Sequence, residues 1–392
     1  MTKFNFDLTI NRLNTGQIKY DYARYDKPLD AIPMWVADMD FKAPPEVLES
    51  LKKTVEHGVF GYSEPGASYW TALLNWYKTR FDWDIQKNWA ITVPGVVFAL
   101  GAAIRATARK GEGVLFCQPV YYPFEKIIRS NNRKPVISEL KLINGKYEVD
   151  FEDFENKIKQ NNVKTFILCS PHNPVSRVWN KQELANMGEI CLKHNVKIIS
   201  DEIHCDFVYA GHKHTVMATI KEQFAYNTIT CISPTKTFNF ANLHNASMII
   251  SNESLHGAVQ QECLKTGYSN PSGLGLIAAQ AAYRYGTAWL EELLIYLQGN
   301  IKLLKQSMDD INCGISLINP EGTYLMWLDC RTLKLTDKEL ENFFLTKAKI
   351  WLNCGSIFGL GGSGFMRMNI ACPRATLDIA MQNLKEAAKT LS

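Results

Sequence analysis

The sequence predicts an α/β fold built on a mostly parallel sheet, followed by a smaller α+β region. Through the middle of the chain, short β-branched or apolar runs alternate with longer helical patterns, which is typical of a parallel sheet wrapped by helices. From about Tyr285 this rhythm gives way to one long helical stretch and separate strand-like segments. The predicted strands of the first region are 89–93, 114–117, 136–140, 164–169, 197–200, 228–233 and 247–251.

The helical and C-terminal segments are predicted from their own patterns. Helices are expected at 96–108, where an apolar stretch follows Gly95, at the amphipathic stretch 181–194, and at 290–308. The segments GTYLMWLDC and FMRMNIA, beginning at Gly322 and Phe365, are strand-like. These segments predict a second sheet in the C-terminal part of the chain.

Composition bounds the class of protein. The 392 residues are too many for one compact core, and 46% hydrophobic with 21% charged residues is typical of a soluble globular protein. A net charge of +4 without a basic cluster argues against nucleic-acid binding. The longest near-apolar run, 93–104, is interrupted by Pro94 and is too short to span a bilayer. The start, MTKFNFDLTINRL, has no apolar signal core, so we expect a cytoplasmic protein without membrane contact.

The ten cysteines include no C-x-x-C pair, and several lie in apolar runs, so reduced buried thiols are expected. The stretch HKH, His212 to His214, is interpreted as a polar loop because no third metal ligand lies nearby. We therefore predict no metal site. The stretch GLGGSG, from Gly359, matches a dinucleotide fingerprint, but a strand-like segment follows it where that fingerprint needs a helix. It is interpreted as a tight loop.

Chemistry-bearing residues follow five of the predicted strands. In open α/β sheets, ligands bind outside the carboxyl ends of the strands, so five such endings predict one site. These endings carry, in chain order, Gly95-Val96-Val97, Tyr121-Tyr122, Asn173, Asp201 and Lys236.

Each ending also has an ordinary structural interpretation. A glycine begins many helices, an aspartate can cap a helix or form an ion pair, paired tyrosines can pack in a core, and His-Asn-Pro is a common turn. Taken together, the endings favour a cofactor. The Val96 and Val97 amides, with the Ser233 hydroxyl, would hold a phosphate, and Asp201 would pair with a protonated ring nitrogen.

A tyrosine would supply a stacking surface, and Asn173 would donate to a ring oxygen or a substrate carboxylate. This set describes pyridoxal 5′-phosphate held as a Schiff base by Lys236. Arg367, in GFMRMNI, would bind a substrate carboxylate with two parallel hydrogen bonds.

The order Asn173, Asp201, Ser233-x-x-Lys236, Arg367, with spacings of 28, 35 and 131 residues from Asn to Asp, Asp to Lys and Lys to Arg, resembles the fold-type I, class I/II aminotransferase superfamily. Within it, the chain is similar to the MalY/PatB-type cystathionine β-lyases, which are C–S lyases. The stretches that carry this second resemblance are PMWVADMDF, GVFGYS, PVYYPF, SDEIHCDFV, SPTKTFN and GFMRMNIACPR.

The resemblance implies a large domain with a mostly parallel seven-stranded sheet, a smaller α+β domain and a homodimer. The expected division is an N-terminal arm with part of the small domain (1–45), the large pyridoxal-phosphate-binding domain (46–285) and the small C-terminal domain (286–392). By the same resemblance, Tyr62 would reach the phosphate in the neighbouring subunit. Tyr121 would stack on the cofactor ring, and either Tyr121 or Lys236 would help to protonate the leaving thiolate.

Three positions depart from the wider superfamily. His244 replaces an arginine that binds phosphate in many members, eight residues after the lysine. His204 replaces a tyrosine that bonds the ring oxygen, as in the lyase branch, and Ser176 replaces a glycine in HNPxGRVW. The last change is expected to affect substrate selectivity rather than cofactor binding.

The resemblance alone implies the predicted function, a lyase that cleaves cystathionine or related S-substituted cysteines to thiol, pyruvate and ammonia. Lys236 would remove the Cα proton. The alternative is a class I/II aminotransferase, because the two reactions share every step up to that proton abstraction. A regulatory binding protein is a third class, although no DNA-binding helix pair or basic arm is evident.

Overall fold

A computed structural model describes residues 4–21, 27–28 and 30–391 of the chain. The strands in these residues are β1 (Ile32–Pro33), β2 (Ala90–Val93), β3 (Gly113–Gln118), β4 (Lys134–Glu139), β5 (Lys141–Ile143), β6 (Lys146–Glu148), β7 (Val163–Cys169), β8 (Lys197–Asp201), β9 (Thr228–Ile232), β10 (Ala246–Ile249), β11 (Ser316–Leu317), β12 (Leu325–Asp329), β13 (Ile350–Trp351), β14 (Asn353–Cys354) and β15 (Phe365–Asn369).

The helices are α1 (Pro45–His57), α2 (Ala67–Phe81), α3 (Val96–Thr107), α4 (Pro123–Ser130), α5 (Phe151–Gln160), α6 (Lys181–Lys193), α7 (Glu222–Asn227), α8 (Pro234–Thr237), α9 (Glu253–Leu264), α10 (Gly273–Tyr285), α11 (Thr287–Ile311), α12 (Asp337–Asn342) and α13 (Arg374–Ala388).

Over the described residues, the largest sheet has seven strands in the order β2-β10-β9-β8-β7-β3-β4. The strands β9, β8, β7, β3 and β4 run parallel, and β10 is antiparallel to both of its neighbours. All seven predicted runs form these strands, with ends that differ from the prediction by at most two residues. The predicted α/β fold with a mostly parallel seven-stranded sheet is confirmed.

The five inner strands of this sheet are buried on both faces, which explains why they are near-continuous hydrophobic runs. Neighbouring side chains alternate between the faces, so Ile199 packs in the cluster beneath α3 whereas Ile198 packs against α5 and α6. The start of α6 follows from its sequence. The Asn180 side chain accepts from the amides of Gln182 and Glu183, and Glu183 accepts from the Asn180 amide, which is a capping box.

The predicted second sheet is present. In the described residues it has four antiparallel strands in the order β11-β12-β15-β14, and the predicted helix at 290–308 is part of α11. The short strand β1 pairs with β13, which joins the N-terminal segment to the C-terminal part of the chain. The division at residues 45 and 285 stays a prediction. No described helix is long and apolar enough to cross a membrane.

The loop and thiol interpretations have mixed outcomes. Residues 359–364 form the predicted loop before β15, and the ten cysteines are free, with Cys313 partly exposed and the others buried. His214 lies in a loop, as predicted, but it is buried and its Nε2 is 2.8 Å from the Glu202 carboxylate.

Candidate active site

A cavity of about 410 Å³ lies beyond the carboxyl ends of β7, β8 and β9. Because parallel strands end together at one edge, residues far apart in sequence meet here. The lining residues are Ile18, Trp35, Val36, Ala37, Val96, Val97, Tyr121, Tyr122, Cys169, Asn173, Asp201, Ile203, His204, Thr235, Lys236, Ala241, Asn353 and Arg367. The five predicted strand endings and Arg367 therefore contribute to one cavity.

Asp201, the last residue of β8, is a buried carboxylate with little compensation. Its side chain accepts one backbone hydrogen bond, from the Ile203 amide at 3.2 Å. Burial raises the pKa of Asp201 to about 7, with a further rise from Glu202 and a partial opposing effect from Lys236. A cation placed beside Asp201 would be strongly stabilised.

Lys236 lies in α8, directly after β9, and its amine is buried. The amine donates to the carbonyl of Ala37. Burial lowers the pKa of Lys236 to about 8, and Arg367 lowers it further, whereas Asp38 and Asp201 raise it. An amine with this pKa is partly neutral near physiological pH, which suits a nucleophile or a general base.

Arg367 stands on β15 with its guanidinium directed into the cavity. It donates to Asn173 Oδ1 at 3.0 Å, to the Trp35 carbonyl at 2.7 Å and to Asn353 Oδ1 at 2.6 Å. Its Nε is buried and has no hydrogen-bond partner among the described residues. Burial lowers the pKa of Arg367 to about 10, and the group remains a cation at neutral pH. A carboxylate is the anion that fits this planar donor.

His204 and Tyr121 both line the cavity, and each carries a polar group on an aromatic ring. Burial lowers the pKa of His204 to about 3, so its ring is neutral, and its Nδ1 has no partner within the described chain. Burial raises the pKa of Tyr121 to about 12, which keeps the phenol protonated and able to donate a proton.

The N-terminus of α3 opens into the same cavity through Val96 and Val97. Gly95 precedes them in an extended conformation, and no described atom lies within 4 Å of the position that a Cβ would take. Free amides at a helix start beside open space favour an anion such as phosphate.

Two predicted residues lie outside the lining of this cavity. The Ser233 hydroxyl donates to the Asn245 carbonyl at 2.7 Å and accepts from the Thr235 amide. Thr235, whose hydroxyl is 2.7 Å from Ser233 Oγ, lines the cavity instead. Tyr62 is 97% exposed. The roles predicted for Ser233 and Tyr62 stay predictions.

The departures from the superfamily pattern have distinct positions. His244 is exposed and lines a second, adjoining cavity rather than the first. Ser176 adopts the left-handed conformation (φ +57°) that glycine favours. Its hydroxyl donates to the Leu325 carbonyl at 2.5 Å, a bond that glycine could not make and that offsets the backbone strain. The loop therefore still directs Asn173 toward Arg367.

Sequence reasoning missed Trp35, Asn353 and Thr235 as site residues. Trp35 contributes a backbone carbonyl, which carries no sequence signal, and its ring stacks on Trp351 at 4.6 Å. Asn353 comes from a two-residue strand without a motif. Thr235 had a usable signal, because its hydroxyl lies next to Lys236 in the sequence.

These observations fit the predicted cofactor. Among the described residues, Asp201 forms no ion pair and His204 Nδ1 has no hydrogen-bond partner, and there is open space beside Gly95 at the start of α3. A phosphorylated pyridine that carries an aldehyde would satisfy all three features. Its aldehyde is a group that an amine such as that of Lys236 can attack. The donor set is therefore that of a pyridoxal phosphate site.

Comparisons with known proteins agree with this geometry. Residues 30–384 match the family described as "Aminotransferase class I and II". The chain is 38% identical to cystathionine β-lyase PatB of Bacillus subtilis over 98% of its own length and 99% of that protein. It is 32% identical to the protein MalY of Escherichia coli over 99% and 100% of the two chains.

Among solved structures, cystalysin from Treponema denticola, which contains a pyridoxal 5′-phosphate cofactor, superposes with a TM-score of 0.96. The identity is 38%, and the superposition covers 99% of this chain and 100% of cystalysin. With a family match over most of its length and full-length relatives above 30% identity, the chain belongs to the aminotransferase class I and II family.

Proposed function

We propose that this protein is a pyridoxal-phosphate-dependent C–S β-lyase that cleaves cystathionine or related S-substituted cysteines to thiol, pyruvate and ammonia. The observation that carries the proposal is that one cavity brings together the Lys236 amine, the Asp201 carboxylate and the Arg367 guanidinium, the last two incompletely paired among the described residues. The names of PatB and of the cystalysin structure with its cofactor support this chemistry.

Pyridoxal phosphate, when bound, supplies an electron sink for negative charge that develops at the substrate Cα. The chain's contribution is to hold it. Asp201 would keep the ring nitrogen protonated, and a buried carboxylate is strongly stabilised by such a partner. Asn173 or His204 would meet the ring oxygen, and the Val96 and Val97 amides would meet the phosphate.

Two hydroxyl groups just before Lys236 in the sequence, those of Ser233 and Thr235, are candidates for binding this phosphate. Thr235 lines the cavity, whereas the Ser233 hydroxyl is bonded to the Asn245 carbonyl. Tyr121 would stack on the ring. In the proposed site, Thr235 contacts the phosphate directly, and Ser233 belongs to the same phosphate site.

The proposed reaction requires three actions of the chain. Arg367 binds the α-carboxylate and thereby fixes the orientation of the Cα–H bond. Lys236 Nζ takes the Cα proton, which its lowered pKa permits because part of the amine is neutral at working pH. Tyr121, a protonated phenol, donates to the sulfur that leaves Cβ.

We further propose a homodimer in which Tyr62 contributes to the neighbouring subunit's phosphate site. The support is an exposed apolar stretch that includes Val59, 70% exposed, Phe60, 65% exposed, and Tyr62. A stretch of this kind is typical of an interface. The predicted cytoplasmic location and the domain boundaries remain part of the proposal.

An aminotransferase is the second candidate, because the matched family is named for that reaction. Both reactions use the amine, the carboxylate and the guanidinium in the same way, and they differ in what happens after the Cα proton leaves. Transamination needs a second keto-acid substrate, whereas β-elimination releases the sulfur substituent without one.

The deciding experiment incubates the purified cofactor-loaded protein with L-cystathionine and no added keto acid, while pyruvate and free thiol are measured together. We expect repeated turnovers with pyruvate and thiol in equal amounts. Turnover that starts only when a keto acid is added, without thiol release, would make the protein an aminotransferase. A protein that gains no visible absorbance with pyridoxal phosphate would contradict both candidates.

A further inference from the structure

Residues 35–41, here called the strap, cross the cavity without helix or strand. Side chains of the core bind the strap through its carbonyl groups. These bonds are Arg367 to Trp35, Asn369 to Val36 and Asp38, Lys236 and Tyr324 to Ala37, and Asn239 to Met39 and Phe41. An irregular segment held at successive carbonyls has a defined position, so its oxygens can act as fixed acceptors.

The Ala37 carbonyl accepts two hydrogen bonds, one from Lys236 Nζ and one from the Tyr324 hydroxyl at 3.0 Å. A carbonyl oxygen has two lone pairs, so these donors fill its capacity. Tyr324 is fully buried, and burial raises its pKa far above the ordinary value, so it remains a donor at any working pH. The two donors therefore share one acceptor.

Three charged residues act on the Lys236 amine. Asp38 and Asp201 favour its protonated form and Arg367 disfavours it. His204 is neutral because of its own burial. Among the described residues, the Lys236 amine donates to the Ala37 carbonyl, so the strength of this acceptor affects how firmly the amine holds its proton.

We propose that the Ala37 carbonyl receives the Lys236 amine whenever the amine is not bonded to the cofactor, and that Tyr324 is a positioning residue for this lysine because it donates to the same oxygen. The catalytic consequence rests on the proposed function. By occupying one lone pair, the Tyr324 hydroxyl weakens the hold of the carbonyl on the ammonium form. The amine is then free to lose its proton and to leave the strap.

The test replaces Tyr324 by phenylalanine, which keeps the ring and removes the hydroxyl. The full-length chain, freed of cofactor, is labelled with acetic anhydride across a pH series, and Lys236 acetylation is quantified by peptide mass spectrometry. We expect the midpoint of labelling to move up by about half to one pH unit, which corresponds to one neutral hydrogen bond. In the loaded enzyme, the acid limb of kcat should move in the same direction, with KM changed by less than about twofold because Arg367 is untouched.

Tyr209→Phe is the matched control. Tyr209 is also buried, and its hydroxyl donates to a backbone carbonyl, that of Thr323, at 2.5 Å. This variant loses the same kind of bond next to Tyr324 but no contact with the strap, so its Lys236 midpoint should equal that of the unmodified protein. An unchanged midpoint in Tyr324→Phe, or equal shifts in both variants, would overturn the proposal.

A second variant guards against loss of folding in Tyr324→Phe. Site-specific 3-fluorotyrosine at position 324 keeps the hydroxyl and makes it a stronger donor, so the labelling midpoint should move down. A midpoint that stays or rises would again overturn the proposal. Labelling needs no turnover, so the two proposals can fail separately. If the labelling midpoint shifts in the variants but the unmodified protein does not cleave L-cystathionine, the role of Tyr324 is supported and the proposed lyase function is contradicted.

Discussion

Two of the buried charged clusters in the described part of the chain differ in how completely their hydrogen-bonding groups are paired. In the Arg177 cluster, Arg177 Nε donates to Glu321 at 2.8 Å, its Nη2 donates to both oxygens of Glu183 at 2.7 and 2.9 Å, and its Nη1 donates to the Tyr147 carbonyl. This cluster is closed, because its guanidinium nitrogens all donate within the chain and Lys146 Nζ, 3.9 Å from Glu321, supplies a second positive charge for the two carboxylates.

In the cavity cluster of Asp201, Lys236 and Arg367, the aspartate and the arginine are as buried as Arg177, but this cluster is open. Asp201 accepts one backbone bond, the Arg367 Nε has no partner among the described residues, and three pKa values are displaced by burial. Burying charge without full pairing costs stability, so such a cluster persists where a ligand completes it. Of these two clusters, the one with unfilled bonding capacity is the one that lines the candidate site.

The largest effect is expected from Lys236→Ala. Loss of the amine removes both the attachment of the cofactor and the proton acceptor, so turnover should fall by about 10⁴-fold or more. The measurements are pyruvate release and the visible absorbance of the bound cofactor. Lys197→Ala is the control, since Lys197 is a partly buried lysine at the opposite end of β8 that donates to Asn227 at 2.9 Å. Equal losses in the two variants would contradict a special role for Lys236.

The closed cluster should respond through stability. Arg177→Met leaves the buried Glu321 and the partly buried Glu183 beside an apolar side chain, so the free energy of unfolding should fall by about 3–5 kcal/mol. Denaturant unfolding of the cofactor-free protein measures this change. The double variant Arg177→Met/Glu321→Gln removes one stranded charge and should recover part of the loss. No loss in the single variant would mean that the cluster does not stabilise the loop that bears Asn173.

Asp201→Asn should have the opposite effect on stability. Burial raises the pKa of Asp201 from 3.8 to about 7 in the folded protein. A raised pKa means that the stabilising contribution is present below pH 3.8 and is lost as pH rises through 7. The asparagine variant avoids this loss, so without cofactor it should become more stable than the unmodified protein by about 4 kcal/mol as pH rises from 4 to 8.

The measurement for this variant is the difference in unfolding free energy between the two proteins at each pH, which removes the contributions of other titrating groups. The same substitution should weaken cofactor binding and slow turnover, because a neutral amide cannot hold a ring proton. A stability difference that does not change with pH would show that Asp201 ionises as freely as an exposed aspartate.

Much of the fold was predictable because its signals are local. The seven β-branched runs became the strands of the large sheet, and topology then brought Asn173, Asp201 and Lys236 to one edge. The sequence could not predict contacts that are made by backbone atoms or by residues far apart in the chain. The strap carbonyls are examples, since Asn239 bonds to Met39 and Phe41 across about 200 residues.

A related failure concerns polar residues whose partners lie elsewhere in the chain. The stretch HKH was expected to be a polar loop, yet His214 is buried because Glu202, next to Asp201 on the following turn, accepts from it. Local polarity predicts exposure unless a distant partner satisfies the group, and that partner is invisible to pattern reasoning. Ser176 is similar, because its unusual backbone conformation depends on the Leu325 carbonyl.

The smallest effect is expected from Arg367→Lys, which keeps the charge of the open cluster but removes its planar donor. A lysine can offer a carboxylate one charge-assisted bond in place of two parallel ones, so KM should rise by about 10- to 100-fold while kcat changes little. The new ammonium would also lose at least one of the bonds to Asn173, Asn353 and the Trp35 carbonyl.

Steady-state kinetics with L-cystathionine measures both constants, and Arg331→Lys, at an exposed arginine paired with Asp329, is the control. If KM stays constant while kcat falls, Arg367 acts on the chemical step and the substrate carboxylate binds elsewhere. If only KM rises, the substrate carboxylate binds the Arg367 guanidinium. This is the outcome that its buried Nε, which has no partner among the described residues, predicts.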